Sequence, residues 1–148
     1  MSAVNELVTT EEQIKIVLND RTSAIYAKDL FGVLDKYAPD VVSFDIGAPL
    51  QSIGIEVIKK RLLDWFASYK GYINQELNNL VVDAGEQIAI SHCLIRTFGT
   101  GINGEKFDMW YRATNGFHKF YDRWLITHEH LSEPINMETG SGMFDLKP

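Results

Sequence analysis

Two histidines two residues apart mark the C-terminal part of the chain. His128 and His130 lie in a stretch, residues 124–132, rich in aromatic and β-branched residues, which predicts a strand. Side chains two apart on a strand point to one face, roughly 6–7 Å from each other. Because histidine titrates near neutral pH, the pair could serve as acid and base beside a carbonyl group. Alternatively, both rings are half-buried and hydrogen-bonded to Glu129 or to backbone carbonyls.

The preceding strand carries a second polar group. Residues 107–119 are predicted to form a β-hairpin with the histidine strand, and Asp108, Trp110 and Arg112 share one of its faces. Arg112 could bind a substrate carboxylate or enolate, with Trp110 as an apolar wall. The alternative is an ion pair between Arg112 and Asp108.

Asp45 adds a carboxylate just before the turn Gly47-Ala48-Pro49. Once desolvated it could act as a general base, or it could cap the turn by a hydrogen bond to the backbone. A metal site of both histidines with Asp45 or Asp108 lacks a fixed third ligand, so we predict neither metal nor cofactor. The predicted catalytic residues are His128, His130, Asp45 and Arg112.

Aromatic residues could line the same pocket. Tyr26 and Tyr37, on two predicted helices, could direct hydroxyl groups into it, although aromatic residues at helical spacing are more often core. The predicted ligand-binding residues at this point are Trp110, Asp108, Tyr26 and Phe44.

Composition narrows the possible functions. The chain has 148 residues, 45% hydrophobic and 23% charged, which suits one globular domain over residues 1–148. The net charge of -6 opposes binding to nucleic acid or to an anionic membrane. Cys93 is the only cysteine, which excludes an intrachain disulfide. No basic segment precedes an apolar run, and no apolar span could cross a bilayer, so we expect a cytoplasmic protein.

The predicted elements place helices first and strands last. In the first helix Ile14, Val17, Leu18, Arg21 and Ile25 follow helical spacing. Helices are predicted at 9–27, 30–37 and 55–69, and strands at 41–46, 72–83, 87–98, 107–119 and 123–132. Residues 1–8 and 137–148 are expected to be loose, although Met143, Phe144 and Leu146 could dock. This order predicts an α+β domain with helices packed on one face of a bent antiparallel sheet.

Three segments and the order of the elements carry a family resemblance. The segments are the closing sequence WLITHEHLSEP (residues 124–134), RATNGFHK (112–119) and residues 41–45 before Pro49. Together they resemble the SnoaL-like and ketosteroid isomerase-like branch of the nuclear transport factor 2 superfamily. The ending is also similar to the association domain of calcium/calmodulin-dependent protein kinase II. The resemblance implies a cone: a curved sheet wrapped by three helices around a deep pocket.

The resemblance implies two classes of function. One is a cofactor-independent isomerase, cyclase or dehydratase acting on a small apolar or carboxylate-bearing carbonyl compound. The other is a noncatalytic ligand-binding or oligomerisation module. We cannot place the oxyanion-hole tyrosine and aspartates of the steroid isomerases on matching positions of this sequence. Asp108 stands where the association domain has an arginine, while Arg96 matches an arginine of that domain's sheet, which implies a cationic ligand-binding group.

Apolar residues expected on the convex side of the sheet predict a homodimer. A lone cone would leave them exposed to water. They are Met109, Tyr111, Leu125 and Leu131.

Overall fold

The computed structural model describes residues 8–148. The predicted looseness of residues 1–7 lies outside this range. The helices are α1 (Thr10–Tyr26), α2 (Leu30–Leu34) and α3 (Ile55–Ala67). The strands are β1 (Tyr37–Phe44), β2 (Ser52–Ile53), β3 (Tyr69–Ala84), β4 (Ile88–Gly101), β5 (Lys106–Phe120) and β6 (Arg123–Ser132).

The strands form one mixed sheet in the order β2-β1-β6-β5-β4-β3. Strands β3 to β6 follow one another as an antiparallel meander, as predicted. β1, by contrast, pairs with β6 in parallel, which the all-antiparallel expectation missed. The α+β class and the curved sheet with helices on one face are confirmed.

Local sequence signals start the first two helices. Thr9 Oγ1 accepts a hydrogen bond of 3.2 Å from the Glu12 amide at the start of α1. Asp29 caps α2 in the same way, with 3.1 Å to the Gly32 amide. The main core lies between the helices and the inner face of the sheet, and its fully buried side chains include Ile14, Leu18, Ile73, Phe117 and Ile126.

Tyr37 belongs to β1 and not to the second helix. α2 ends at Leu34, and Tyr37 pairs with Ile126 of β6. Its hydroxyl hydrogen-bonds to Arg21 and Glu129, contacts that the strand position allows. The predicted helix to residue 37 is therefore too long, because tertiary contacts outweigh the helical spacing.

The C-terminal tail docks on the sheet. Ile135 and Gly142 form an isolated bridge, and the Trp110 amide donates to the Phe144 carbonyl at 3.1 Å. Phe144 thereby comes to border the interior of the domain. Within residues 8–148, no helix is both long and apolar enough to cross a membrane.

Candidate functional site

A β-bulge in β6 decides which side chains of the C-terminal hairpin face the helices. His128 and Ile126 pair with consecutive residues of β5, so Thr127 between them has no partner there. Ile126 is fully buried on the inner face. Beyond the bulge the alternation restarts in the opposite phase. Glu129 therefore faces the helices, while His128 faces away from them.

His128 and His130 lie together on the outer face of the sheet. Their ring centroids are 6.3 Å apart, and the Phe44 ring lies 4.7 Å and 5.4 Å from them. His128 Nδ1 is 2.8 Å from the Val42 carbonyl oxygen. The prediction that these histidines face the pocket is wrong because of the bulge. The prediction that Phe44 lines the pocket is also wrong, because its ring packs against the two histidines on the outer face. The contact with a backbone carbonyl matches the alternative interpretation of His128.

Asp108 and Arg96 form a network of charges on the same outer face. Arg96 donates to both Asp108 oxygens, at 2.9 and 2.8 Å, and to Glu76 at 3.1 Å. These hydrogen bonds from Arg96 hold the pKa of Asp108 below its ordinary value. Arg112 instead donates to Ser132 Oγ at 3.1 Å. The expected pair of Asp108 with Arg112 is thus replaced by a cross-strand pair with Arg96.

Trp110 and Tyr26 also lie outside the interior of the cone. Trp110 borders a small cleft under tail residues 143–148. Tyr26 stacks on Tyr72, with ring centroids 4.4 Å apart and planes 6° from parallel. Met109 and Tyr111 take the inward positions on β5. Asp108, Trp110 and Arg112 therefore share one face of β5, as predicted, but that face is the outer face of the sheet.

A cavity of about 290 Å³ lies between the helices and the inner face of the sheet. Its apolar walls are Ile25, Val33, Ile46, Ile58, Leu62, Trp65, Ile95, Met109, Leu131 and Phe144. Its polar lining is Arg21, Tyr37, Ser43, Asp45, Arg61, Gln75, Thr97, Tyr111 and Glu129. A cavity that combines apolar walls with convergent polar groups is typical of a small-molecule site.

This lining corrects the residues expected on the convex side. Met109, Tyr111 and Leu131 line the cavity instead. Leu125 precedes the bulge and alternates with the buried Trp124 and Ile126, so it stays on the outer side. Of the four residues predicted for a dimer contact, Leu125 therefore remains on the outer face of the sheet.

Glu129 is the centre of a four-residue network in the cavity. Its Oε1 accepts from Arg21 Nη1 at 3.0 Å and from the Tyr37 hydroxyl at 2.8 Å. Its Oε2 accepts from Ser43 Oγ at 3.1 Å. The Arg21 and Glu129 side chains are only 5% and 13% exposed. Three donors therefore hold one carboxylate in a water-poor site.

Burial and neighbouring charges keep Tyr37 and Arg21 protonated. Burial raises the pKa of Tyr37; the charge of Arg21 opposes this and the charge of Glu129 adds to it, and the pKa stays raised overall. Burial alone would lower the pKa of Arg21, but Tyr37 and Glu129 outweigh it and raise the pKa overall. Arg21 is accordingly a permanent cation beside Glu129.

A second polar group lies on the neighbouring strands. Tyr111 Oη and Thr97 Oγ1 are 2.6 Å apart, and Gln75 Nε2 donates to both, at 3.1 and 3.2 Å. Burial raises the pKa of Tyr111 to about 12. The Tyr111 hydroxyl is therefore a neutral hydrogen-bond group at neutral pH.

Asp45 does line the cavity, as predicted, and it is paired there. Arg61 donates to Asp45 Oδ2, and the two side chains are 26% and 32% exposed. Arg61 also donates to Ser52 Oγ at 2.7 Å. Asp45 Oδ1 accepts from the Ile46 amide at 2.7 Å, the backbone contact foreseen as its alternative role.

The cavity residues that sequence analysis missed had weak signals. Arg21 was the clearest, since it is a lone cation in phase with Ile14, Leu18 and Ile25 on the buried face of α1. Glu129 carried no such signal, because only the bulge turns it inward. Among residues 8–148, no three His, Cys, Asp or Glu side chains are grouped to hold a metal ion.

The sequence and the fold both match known proteins. Residues 14–136 match the family model of the SnoaL-like domain. A nuclear transport factor 2 (NTF2)-like protein of unknown function from Pseudomonas putida KT2440 is 31% identical, with a TM-score of 0.85 over 93% of this chain and 96% of that one. A comparison with curated proteins finds no match.

Two further structures share the fold alone, at lower identity. A ketosteroid isomerase-like protein from Erwinia carotovora atroseptica is 18% identical, with a TM-score of 0.70 over 84% of this chain and 97% of that one. The association domain of C. elegans CaMKII is 19% identical, with a TM-score of 0.69 over 89% of this chain and 99% of that one.

Proposed function

The chain belongs to the family of SnoaL-like domains, and from that premise we propose that it is a cofactor-independent acid–base catalyst for a small, largely apolar carbonyl compound. The observation that carries the proposal is the Glu129 carboxylate, held by three donors in a cavity with mainly apolar walls. The similarity in fold to a ketosteroid isomerase-like protein supports this class of reaction.

Glu129 is the proposed base. Its Oε2 accepts from Ser43, which leaves that oxygen room for a second hydrogen. A C–H bond next to the substrate carbonyl breaks, the proton passes to Oε2, and the electron pair forms an enolate. Where a conjugated C=C bond extends the enolate, return of the proton from Oε2 to the far carbon of that bond completes an isomerisation. Where the β-carbon carries a hydroxyl group, its C–O bond breaks, the enolate electron pair forms a C=C bond, and the hydroxyl group leaves as water with the proton from Oε2, which completes a dehydration.

Asp45 remains a second proposed carboxylate of the site, since it lines the same cavity. Its pairing with Arg61 suits orientation of the substrate more than proton transfer. The proposal assigns no proton transfer to His128, His130 or Arg112, because they lie on the outer face.

Hydrogen–deuterium exchange at carbon tests the proposal. The wild-type protein is incubated in D₂O with 2-tetralone, 1-indanone and acetophenone, and loss of the α-proton signals is followed by NMR. Glu129→Gln should slow the catalysed exchange by about 10²-fold or more. Asp108→Asn, on the outer face, is the matched control and should not change it. Equal rates with wild-type protein and with buffer would refute the proposal.

A second candidate, a noncatalytic ligand-binding module, is favoured by one observation. Both pairs of opposite charges in the cavity, Arg21 with Glu129 and Arg61 with Asp45, are already joined to each other. Ketones that raise the melting temperature without any enzyme-dependent exchange would select this candidate.

We also propose a homodimer formed through the outer face of the sheet. Val81, Ile88 and Ile90 lie there, 44%, 62% and 48% exposed, on strands whose inner residues are core. The similarity in fold to the association domain of CaMKII supports self-association. We expect sedimentation of a dimer at micromolar concentration and of a monomer for Ile90→Lys. A wild-type monomer would contradict this.

A further inference from the structure

Three side chains from adjacent strands meet at one point of the cavity wall. Gln75 lies on β3, Thr97 on β4 and Tyr111 on β5, and all three line the cavity. Thr97 is 1% exposed and Tyr111 is 8% exposed. Polar groups buried this deeply need hydrogen-bond partners, so their hydrogens can be counted.

One hydroxyl hydrogen of Thr97 and Tyr111 has no acceptor within this group. Gln75 Nε2 donates to both hydroxyl oxygens, so neither hydroxyl can donate back to that nitrogen. Thr97 and Tyr111 share one hydrogen bond of 2.6 Å, which uses one of their two hydroxyl hydrogens. Within the described part of the chain, the second hydrogen has no acceptor. The group is thus built with a spare donor beside an apolar cavity.

We propose that the hydroxyl of Tyr111 donates this hydrogen to a carbonyl oxygen of the ligand. Thr97 and Gln75 then both donate to the phenol oxygen, which makes its O–H a stronger donor. Burial keeps the phenol protonated, since it raises the pKa of Tyr111 to about 12. Tyr111 acts as a carbonyl-binding residue, separate from the Glu129 network.

This geometry narrows the ligand to a neutral carbonyl compound. Arg21 and Arg61, the two cations of the cavity lining, are already joined to Glu129 and Asp45, so neither is free to hold an anionic ligand. A ketone or ester oxygen at Tyr111 would place its neighbouring C–H groups in the cavity that Glu129 also lines. Only this placement of C–H groups near Glu129 rests on the proposed function.

Infrared spectroscopy of bound 2-tetralone, labelled with ¹³C at the carbonyl, tests the inference. We expect the carbonyl band to lie at lower wavenumber than in hexane. Tyr111→Phe should remove most of that shift and weaken binding by about tenfold, the value of one hydrogen bond. Thr97→Val, a second variant of similar shape, should reduce the shift. Tyr26→Phe, outside the cavity, should leave it unchanged.

The same samples separate this inference from the proposed function. Glu129→Gln should keep the band shift while losing α-proton exchange. A shift without exchange in the wild-type protein would refute catalysis and retain the carbonyl site. A band unchanged in Tyr111→Phe would overturn the inference, because another group would then bind the carbonyl. Absence of binding for all three ketones would overturn it as well.

Discussion

Arg21 of α1 and Glu129 of β6 form an ion pair of 3.0 Å across 108 residues of sequence, with Arg21 buried and Glu129 only 13% exposed. The pair joins the first helix to the last strand. Two charges in such a place are costly to bury and still more costly to separate. The stability of the domain and the shape of its candidate site therefore depend on the same contact.

Arg21→Met should destabilise the protein by about 3–5 kcal/mol, because Glu129 is left as an uncompensated buried charge. The double variant Arg21→Met with Glu129→Met should recover most of that loss. Urea unfolding measures both. Arg123→Met is the control: Arg123 pairs with Asp35 on the surface, at 56% and 53% exposure, and should cost about 0–1 kcal/mol. A double variant as unstable as the single one would contradict this account.

Deletion of Thr127 should remove the bulge and keep the site, because Ile126 and His128 already pair with the consecutive residues Phe117 and Gly116 of β5. With Thr127 gone, simple alternation along β6 leaves His128 outside and Glu129 inside. We expect ketone binding, measured by calorimetry, to persist. Thr127→Ala, the control, retains the bulge and loses only a hydrogen bond of 3.4 Å to the Gly116 carbonyl. Loss of ketone binding in the deletion variant alone would show that Glu129 needs the bulge to face the cavity.

Phe144→Ala should enlarge the cavity from the side of the tail, since Phe144 is one of its walls. Ketones with an added ring should gain affinity relative to 2-tetralone, as measured by calorimetry. The free energy of unfolding should fall by about 1–3 kcal/mol, less than for a fully buried phenylalanine. Met137→Ala, in the same tail but 91% exposed, should alter neither quantity.

Alkaline pH should weaken the fold through Tyr111. Its folded-state pKa of about 12 exceeds the ordinary value of about 10. The contribution of Tyr111 to the free energy of unfolding is therefore intact below pH 10. It is lost as the pH rises toward 12, by about 1.4 kcal/mol per pH unit. Urea unfolding at pH 9, 10 and 11 should show a shallower loss for Tyr111→Phe than for the wild-type protein. If the free energy of unfolding fell equally with pH in both proteins, the burial of Tyr111 would not be the cause of the loss.

Much of the fold was predictable because it follows from local patterns. The apolar spacing of α1 and its Thr9 cap, and the alternation along β3 to β6, place these elements within a few residues of their observed bounds. α2 was predicted too long, since the role of Tyr37 depends on partners in α1 and β6. The parallel pairing of β1 with β6 likewise joins segments distant in sequence.

The candidate site was far less predictable. Of the nine predicted site residues, Asp45 lines the cavity, and the others lie outside it. The prediction assumed unbroken alternation along residues 124–132, and one unpaired residue reverses it. A bulge has no sequence signature here, because Thr127 is as ordinary in a strand as its neighbours.

The sequence by itself determined the elements, their order and the charge balance, because helix and strand periods are local properties of side-chain type. It also placed a lone arginine on the apolar face of α1. Only the tertiary structure decided that Glu129 meets Arg21 inside the cone while His128 and His130 remain outside. The reason is physical: facing after a bulge is set by which side chains the opposite layer can pair with and bury, and that layer comes from the other end of the chain.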